Sequence, residues 1–394
     1  MAIHRNIKLL ALHNFFTDFV LFAPVAIIYF QKVTGSFALG MSVFSVAYVS
    51  SAVFELPTGI FSDIVGRKWT VIWGSFFSVI CVVLYAVGGS YAMLLAGSLF
   101  QGLSRAFFSG NNEALLHDSL RETDQTHQYG EYLGKTSTTF QIALAAAAVI
   151  GSVTASRSFA WVMWLSVIPQ IAALIVATQL TEPTNPHKAA TSIYAHMKDS
   201  AKLFITNPIL RDVNLADVTR FGLGESVYFL RSAFVNSLWP LWAVGISNML
   251  ANLGGGLSYY YSDALIKKFK EIHILNFEII FNRIVNFAAL LFPSVLSPVL
   301  ISASSLSYGV GSVALGSLMQ KEFTDHQRAT MGSINSLAGN VVFGIYSIAL
   351  GVMSDRMGVR SALLAANVVL LVPLYLYRRL ARTQQTSATL TNVL

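Results

Sequence analysis

An all-α membrane protein of twelve transmembrane helices in two six-helix bundles is the fold this sequence predicts. Three observations predict it: the composition, the recurrence of apolar runs of membrane length, and the side on which the basic residues fall. Of 394 residues, 54% are hydrophobic and 11% charged, and the mean hydropathy is +0.59. Ordinary soluble domains carry about 25% charged residues, so the bilayer has to be the solvent here. The net charge of +7 does not indicate nucleic acid, because Lys and Arg occupy short gaps between apolar runs and form no basic domain. Cys81 is the only cysteine, which excludes an intrachain disulfide, a thiolate metal site and a redox pair.

A helix needs about 20 apolar residues to cross the roughly 30 Å hydrocarbon layer. Such runs fall at roughly 7–31, 38–62, 69–89, 91–117, 130–154, 158–180, 210–236, 238–262, 270–292, 295–319, 329–353 and 360–380. The first carries Asp18 in its middle and lacks a small-residue cleavage site, so it is expected to remain as a span. Alternating the gaps between two sides places about 18 Lys and Arg on one, among them Arg5, Lys8, Arg67, Lys68, Lys267 and Lys268. The other side holds about four: Lys32, Arg157, Arg356 and Arg360. The positive-inside rule then puts both termini in the cytoplasm, with the protein in the cytoplasmic (inner) membrane.

The expected organisation is a first bundle at 1–180, a cytoplasmic linker at 181–209 and a second bundle at 210–394. Within the linker, Ile193, Met197, Leu203 and Phe204 fall partly at helical spacing, which predicts an amphipathic helix over the alternative of an unstructured connection. The two halves also repeat at one constant offset. Ser62-Asp63 and Lys68 match Ser262-Asp263 and Lys268, Arg121-Glu122 matches Lys321-Glu322, and Ile150-Gly151 matches Leu350-Gly351. Two parallel repeats around a central cavity follow from that symmetry.

Between the second and third spans stands Gly59-Ile60-Phe61-Ser62-Asp63-Ile64-Val65-Gly66-Arg67-Lys68. The glycines permit close helix approach and a tight reversal, while Asp63 and Arg67 set opposite charges at the membrane edge. This segment resembles the G-x-x-x-D-x-x-G-R-K signature of the major facilitator superfamily. Phe54 to Gly59, Glu113 to Leu120 and Arg328 to Thr330 are similar to a drug-efflux-like branch, and the resemblance covers nearly the whole chain. It implies a cytoplasmic gate at Gly59, Asp63, Gly66, Arg67 and Lys68, with Arg67 reaching Asp118 and Asp63 facing the start of span eleven near Ala329 to Gly332. It also implies that spans one, four, seven and ten line the cavity. The chain departs from the family pattern in span five, where Ala143 and Ala145 to Ala148 replace an antiporter run of glycines and leave only Gly151. In span four, Ser98 stands at the usual arginine position and the arginine is Arg105.

An ionisable group at the bilayer centre costs about 2.5–3.5 kcal/mol on insertion scales, so each one present needs a reason. Asp18 lies near mid-membrane in span one and Arg105 in span four. The pair is either a proton carrier with its tuning cation or a static ion pair. In span seven, Glu225 is the second proton-coupling candidate, and Arg220 and Arg231 either bind an anionic substrate group or neutralise acids. Glu278 and Arg283 in span nine are expected to pair structurally. Phe107, Phe108, Tyr228 and Tyr308 either wall the substrate cavity or pack between helices.

Enzyme signals are weak. Gly130 to Thr136 imitates a phosphate loop but has three residues between its glycines where four are required. No H-e-x-x-H or G-x-S-x-G motif occurs, so neither catalytic residue nor metal is expected. The resulting expectation is a monomeric secondary transporter of a small organic molecule, with no cofactor beyond an ion gradient, chiefly protons. Efflux of drug-like compounds leads. Import of a charged metabolite and a non-transporting receptor are the alternatives.

Overall fold

The computed structural model describes residues 2–122, 124–183, 207–321 and 328–380. Most of those residues are helical, with no strand among them. The first half runs α1 (Ala2–Asp18), α2 (Ala26–Thr34), α3 (Phe37–Val65), α4 (Arg67–Val87), α5 (Tyr91–Phe108), α6 (Asn111–Arg121), α7 (Tyr129–Arg157) and α8 (Phe159–Thr178). The second runs α9 (Pro208–Leu238), α10 (Leu241–Tyr260), α11 (Ser262–Lys268), α12 (Glu271–Leu291), α13 (Ser297–Ala303), α14 (Tyr308–Lys321), α15 (Arg328–Met357) and α16 (Val359–Val369), followed by a helical segment at 372–380.

Among the described residues, nine helices are long and apolar enough to cross a membrane. The stretches expected as spans four, seven and eight are helical too, but they are the polar ones. Span four is cut at Gly110, whose φ of 67° ends α5 and starts α6. Charged residues from Arg211 to Arg231 run through α9, and Asn248, Asn252 and three consecutive glycines interrupt α10. The linker's expected amphipathic helix falls outside the described residues, since 184–206 are not among them. The phosphate-loop look-alike from Gly130 lies inside α7.

Helix ends are closed by recognisable devices. Ser36, Ser90 and Ser158 accept from Leu39, Met93 and Trp161 backbone N–H groups and cap α3, α5 and α8. Arg360 donates to the carbonyls of Leu290 and Leu291 at 2.6 and 3.0 Å, satisfying the end of α12. Lys32 stands 5.0 Å over the Phe159 ring, which sets the end of the first span beside the start of the sixth.

The contacts divide the chain into two compact units, Met1–Ala189 with Trp239–Met249, and Ala190–Leu238 with Leu250–Leu394. The start of α10 thus groups with unit 1, although the sequence places it in the second bundle. The physical reason is Gly245. A side chain there would collide with the Ala148 carbonyl and Ser152 of α7, and its absence lets the stretch at Gly245 pack within unit 1. Unit 1 has a core of Ile7, Leu10, Val71, Leu115, Leu116 and Leu180, joining α1, α4, α6 and the end of α8. In unit 2 the core gathers Val213, Leu275, Val310, Leu315 and Tyr377 from α9, α12, α14 and the 372–380 segment. Each core is assembled from helices distant in sequence, so neither half-bundle forms from local contacts alone.

Candidate functional site

The gate loop is built around one glycine. Gly66 separates α3 from α4 with φ 111°, and a Cβ there would meet the Glu182 carboxyl at 2.7 Å. Only glycine combines that backbone with that space. Glu182 uses the room to accept hydrogen bonds from the backbone N–H groups of Arg67 and Lys68 at 2.7 and 2.8 Å. A carboxylate is favourable there because the first N–H groups of a helix lack intrahelical partners and point along the dipole. Gly59 behaves differently: nothing lies within 4 Å of the Cβ it lacks, so the expected close helix approach at this position is absent.

The Arg67 side chain lies 3.8 Å from Asp118, the acid expected for it, and 3.6 Å from Asp63. Its Nη1 donates to Ser62 Oγ at 2.8 Å. Ser62 in turn donates to Asn111 Oδ1 at 2.7 Å, and Asn111 Nδ2 donates to the Arg67 carbonyl at 3.1 Å. The ion pairs are longer than hydrogen bonds, so the neutral ring of Ser62 and Asn111 sets the geometry and the acids supply the field. Asp63 belongs to unit 1 and Ala329 to Gly332 to unit 2.

The interior charges of unit 1 sit where the first span breaks. Helix α1 stops at Asp18, and a short 3-10 turn at Ala23–Val25 leads into α2. Backbone groups freed by a break inside a membrane need partners. Gln170 Nε2 donates to the carbonyls of Phe16 and Thr17 at 3.3 and 3.1 Å, and Ser166 Oγ accepts from Phe22 N–H at 3.2 Å. Gln170 Oε1 accepts from Ser78 at 2.7 Å. Opposite, a Cβ on Gly151 would overlap the Leu21 carbonyl, so this glycine lets the broken backbone press against α7. Asp18 is half-buried at the break and within electrostatic reach of Arg105. Arg105 lies 4.3 Å over the Tyr48 ring, and beyond the break at Gly110 Asn112 donates to Asn14 at 3.1 Å. Asn14 and Asp18, one helical turn apart on α1, form a polar strip that Asn112 ties to α6.

Phe107 and Phe108 are not part of that strip. Phe107 is 8% exposed and packs on Phe61 and Phe77, with centroids 5.4 and 5.7 Å away. Phe108 packs edge-on to His13 at 5.4 Å and over Gly74. Both are helix-to-helix packing residues, because consecutive positions at the end of α5 turn toward α3, α4 and α1 rather than toward Asp18.

In unit 2 the acids and bases pair differently from the sequence expectation. Glu278 bonds Arg220, not Arg283: Arg220 Nε and Nη2 donate to Glu278 Oε1 at 3.1 and 2.8 Å. Arg283 remains within electrostatic reach of Glu278. Arg220 also lies 4.9 Å over the Tyr308 ring, so these two substrate-cavity candidates belong to one assembly around the buried Glu278. Arg231, 6% exposed, stacks on Tyr228 at 4.7 Å, and Glu225 is within electrostatic reach of Tyr228, Arg231 and Tyr308.

Sequence reasoning passed over Gln170, Ser166 and Glu182. Gln170 carried a signal, as an uncharged polar residue directly after Pro169 in an otherwise apolar run. Glu182 carried none, because its partners are backbone atoms more than a hundred residues away. Among the described residues no group of three or more potential metal ligands occurs.

The family model of the Major Facilitator Superfamily matches residues 9–347. This chain belongs to that superfamily and is a transporter of its type, a multi-pass integral membrane protein. A relative, an uncharacterized MFS-type transporter of Methanocaldococcus jannaschii, is 21% identical over 349 residues, covering 86% of this chain and 87% of the relative. Among solved structures, the nucleoside transporter NupG superposes with a TM-score of 0.82 at 13% identity, covering 95% of this chain and 100% of that one. A D-xylose-proton symporter superposes with a TM-score of 0.75 at 13% identity, covering 95% and 97%. Such low identities carry the fold and leave the solute open.

Proposed function

We propose that this protein is a secondary active transporter that moves a small organic solute by alternating access, with twelve spans in two six-helix bundles and both termini in the cytoplasm. It exports drug-like compounds across the cytoplasmic membrane against entering protons, as a monomer and with no cofactor beyond the gradient. The observation that supports coupling is Asp18, a half-buried carboxyl at the break of the first span, with Arg105 in reach. An uncompensated charge in a span is expensive, and a carboxyl facing a cation changes that balance each time it takes or releases a proton. Glu225 beside Tyr228 and Arg231 is the second coupling candidate.

Import of a charged metabolite is the second reading, and Arg231 favours it. Arginine is the residue type that recognises carboxylate and phosphate groups, and Arg231 is buried against the Tyr228 ring. The gate motif from Gly59 to Lys68 with Asp118 serves either direction.

The test is solute movement by purified protein in liposomes under an imposed pH gradient, with cationic, anionic and neutral solutes, comparing wild type with Asp18→Asn. Loss of gradient-driven movement with downhill exchange retained supports the coupling role. Full coupling in Asp18→Asn refutes it and moves the role to Glu225. Movement of no solute across the panel leaves a non-transporting receptor and an untested solute equally open.

A further inference from the structure

Gly97, Gln101 and Arg105 follow one another at one-turn spacing on α5 and share a face of that helix. Gly97 makes room, since a Cβ there would stand 2.7 Å from the Tyr85 ring of α4. Tyr85 is fully buried, and its hydroxyl donates to Gln101 Oε1 at 2.9 Å. The same ring meets Phe22 edge-on, with centroids 5.5 Å apart. Phe22 belongs to the broken stretch of the first span, and Asp18 at the start of that stretch is within electrostatic reach of Arg105. Gln101 and Arg105 therefore stand beside the break.

Tyr85 decides which way the Gln101 amide points. A buried phenol has one proton to give, and its neighbours here are the Gln101 amide and the Cys81 thiol, one turn earlier on α4. An amide oxygen is a strong acceptor and a thiol sulfur a weak one, so the proton goes to Oε1. A reversed amide would place Nε2 on the hydroxyl oxygen and leave the buried O–H with sulfur alone, an unfavourable state for a buried donor. With Oε1 held, Nε2 meets no acceptor among the described residues and stays accessible. One turn on, Arg105 is exposed, with its guanidinium 4.3 Å over the Tyr48 ring. Asp18 acts on it through space, so its donors remain for an incoming group. Gln101 and Arg105 thus present N–H donors only.

We propose that Gln101 and Arg105 are a specificity-determining pair that receives the carboxylate of an organic acid, with Tyr85 as the positioning residue for the Gln101 amide. A carboxylate carries acceptor lone pairs alone, and it meets a guanidinium and an amide NH2 with no mismatched group on either side. An organic ammonium sets its donors and its charge against theirs. The proposal rests on the transporter reading for the existence of a carried solute. The binding it predicts is measurable in protein that moves none.

The test is thermal stabilisation of the purified protein in detergent by benzoate, salicylate and nicotinate, with benzylammonium as the cationic control. A solute that binds only folded protein raises the midpoint as its concentration rises. At least one carboxylate is expected to stabilise, and benzylammonium is not. Gln101→Leu weakens that carboxylate about tenfold, the loss of one hydrogen bond to a charged group. Gln101→Met, of similar volume and without a donor, gives the same loss should Gln101→Leu fail to fold. Gln101→Glu, isosteric but acceptor-only, abolishes carboxylate binding and admits benzylammonium. Tyr85→Phe lets the amide rotate and weakens the carboxylate about two- to threefold, with no further loss when it is added to Gln101→Leu, because Tyr85 acts only through Gln101. Stabilisation by none of the carboxylates, or Gln101 variants that lower the unliganded midpoint and leave the preference for carboxylate over ammonium unchanged, overturns the pair. Protein that binds a carboxylate here and moves none of it in liposomes counts against the transporter reading alone.

Discussion

Glu182 holds Arg67 by its backbone. The carboxylate accepts the Arg67 N–H at 2.7 Å and the neighbouring Lys68 N–H at 2.8 Å, so the chain leaving the sixth span is tied to the first turn of α4. Next to it, Asn6 Oδ1 accepts from Thr181 N–H at 2.8 Å and Asn6 Nδ2 donates to the Thr181 carbonyl at 2.9 Å. The gate loop, the N-terminal helix and the start of the linker are thereby one connected piece.

Glu182→Ala is expected to lower stability by about 1–2 kcal/mol, the range for losing a charged helix cap. Denaturant titration of the purified protein in detergent measures it. A change below the error of that titration would mean that water replaces the carboxylate without loss.

Gly66→Ala is expected to destabilise by about 1–3 kcal/mol, because the new methyl needs φ 111° and meets the Glu182 carboxyl. Part of the loss comes from that collision, so the same substitution in the Glu182→Ala background is expected to cost less. Gly59→Ala, with open space around its missing side chain, is expected to be neutral in the same titration.

At the break of the first span, Gln170→Leu removes the donor to the Phe16 and Thr17 carbonyls. Hydrogen bonds between membrane helices are worth roughly 0.6 kcal/mol on average and up to about 1.7, so a loss of about 1–2 kcal/mol is expected. Hydrogen exchange at Phe19 to Phe22 should quicken in this variant and stay unchanged at α3.

Gly151→Val places side-chain atoms on the Leu21 carbonyl. Overpacking of this kind costs about 1–3 kcal/mol when the neighbours can move. The expected result is a lower thermal midpoint, partly recovered by Leu21→Ala only if backbone movement is possible; no recovery places the clash on the backbone itself.

The periodic parts of this protein were legible in the sequence. Nine of the expected spans fall on helices of membrane length and apolarity among the described residues, and the glycine-aspartate-arginine loop falls between α3 and α4, because a bilayer rewards length and apolarity that can be counted along one chain. The acid beside Arg67 was legible from the motif. The pairing of Glu278 was not: Arg283 of the same span was the expected partner, while the partner it bonds comes from α9.

By itself the sequence determined that the chain lives in a membrane as helices and that a charged segment of the superfamily type joins two of its spans. These properties follow from composition and local order. The tertiary structure decided which polar groups meet. Gln170 braces the break at Asp18, Glu182 caps α4 through Gly66, Phe107 and Phe108 turn into helix contacts, and Arg220 pairs with Glu278. Each of those outcomes depends on the distance between helices far apart in the chain, and a hydrogen bond in a membrane is satisfied by whichever partner packing brings within about 3 Å.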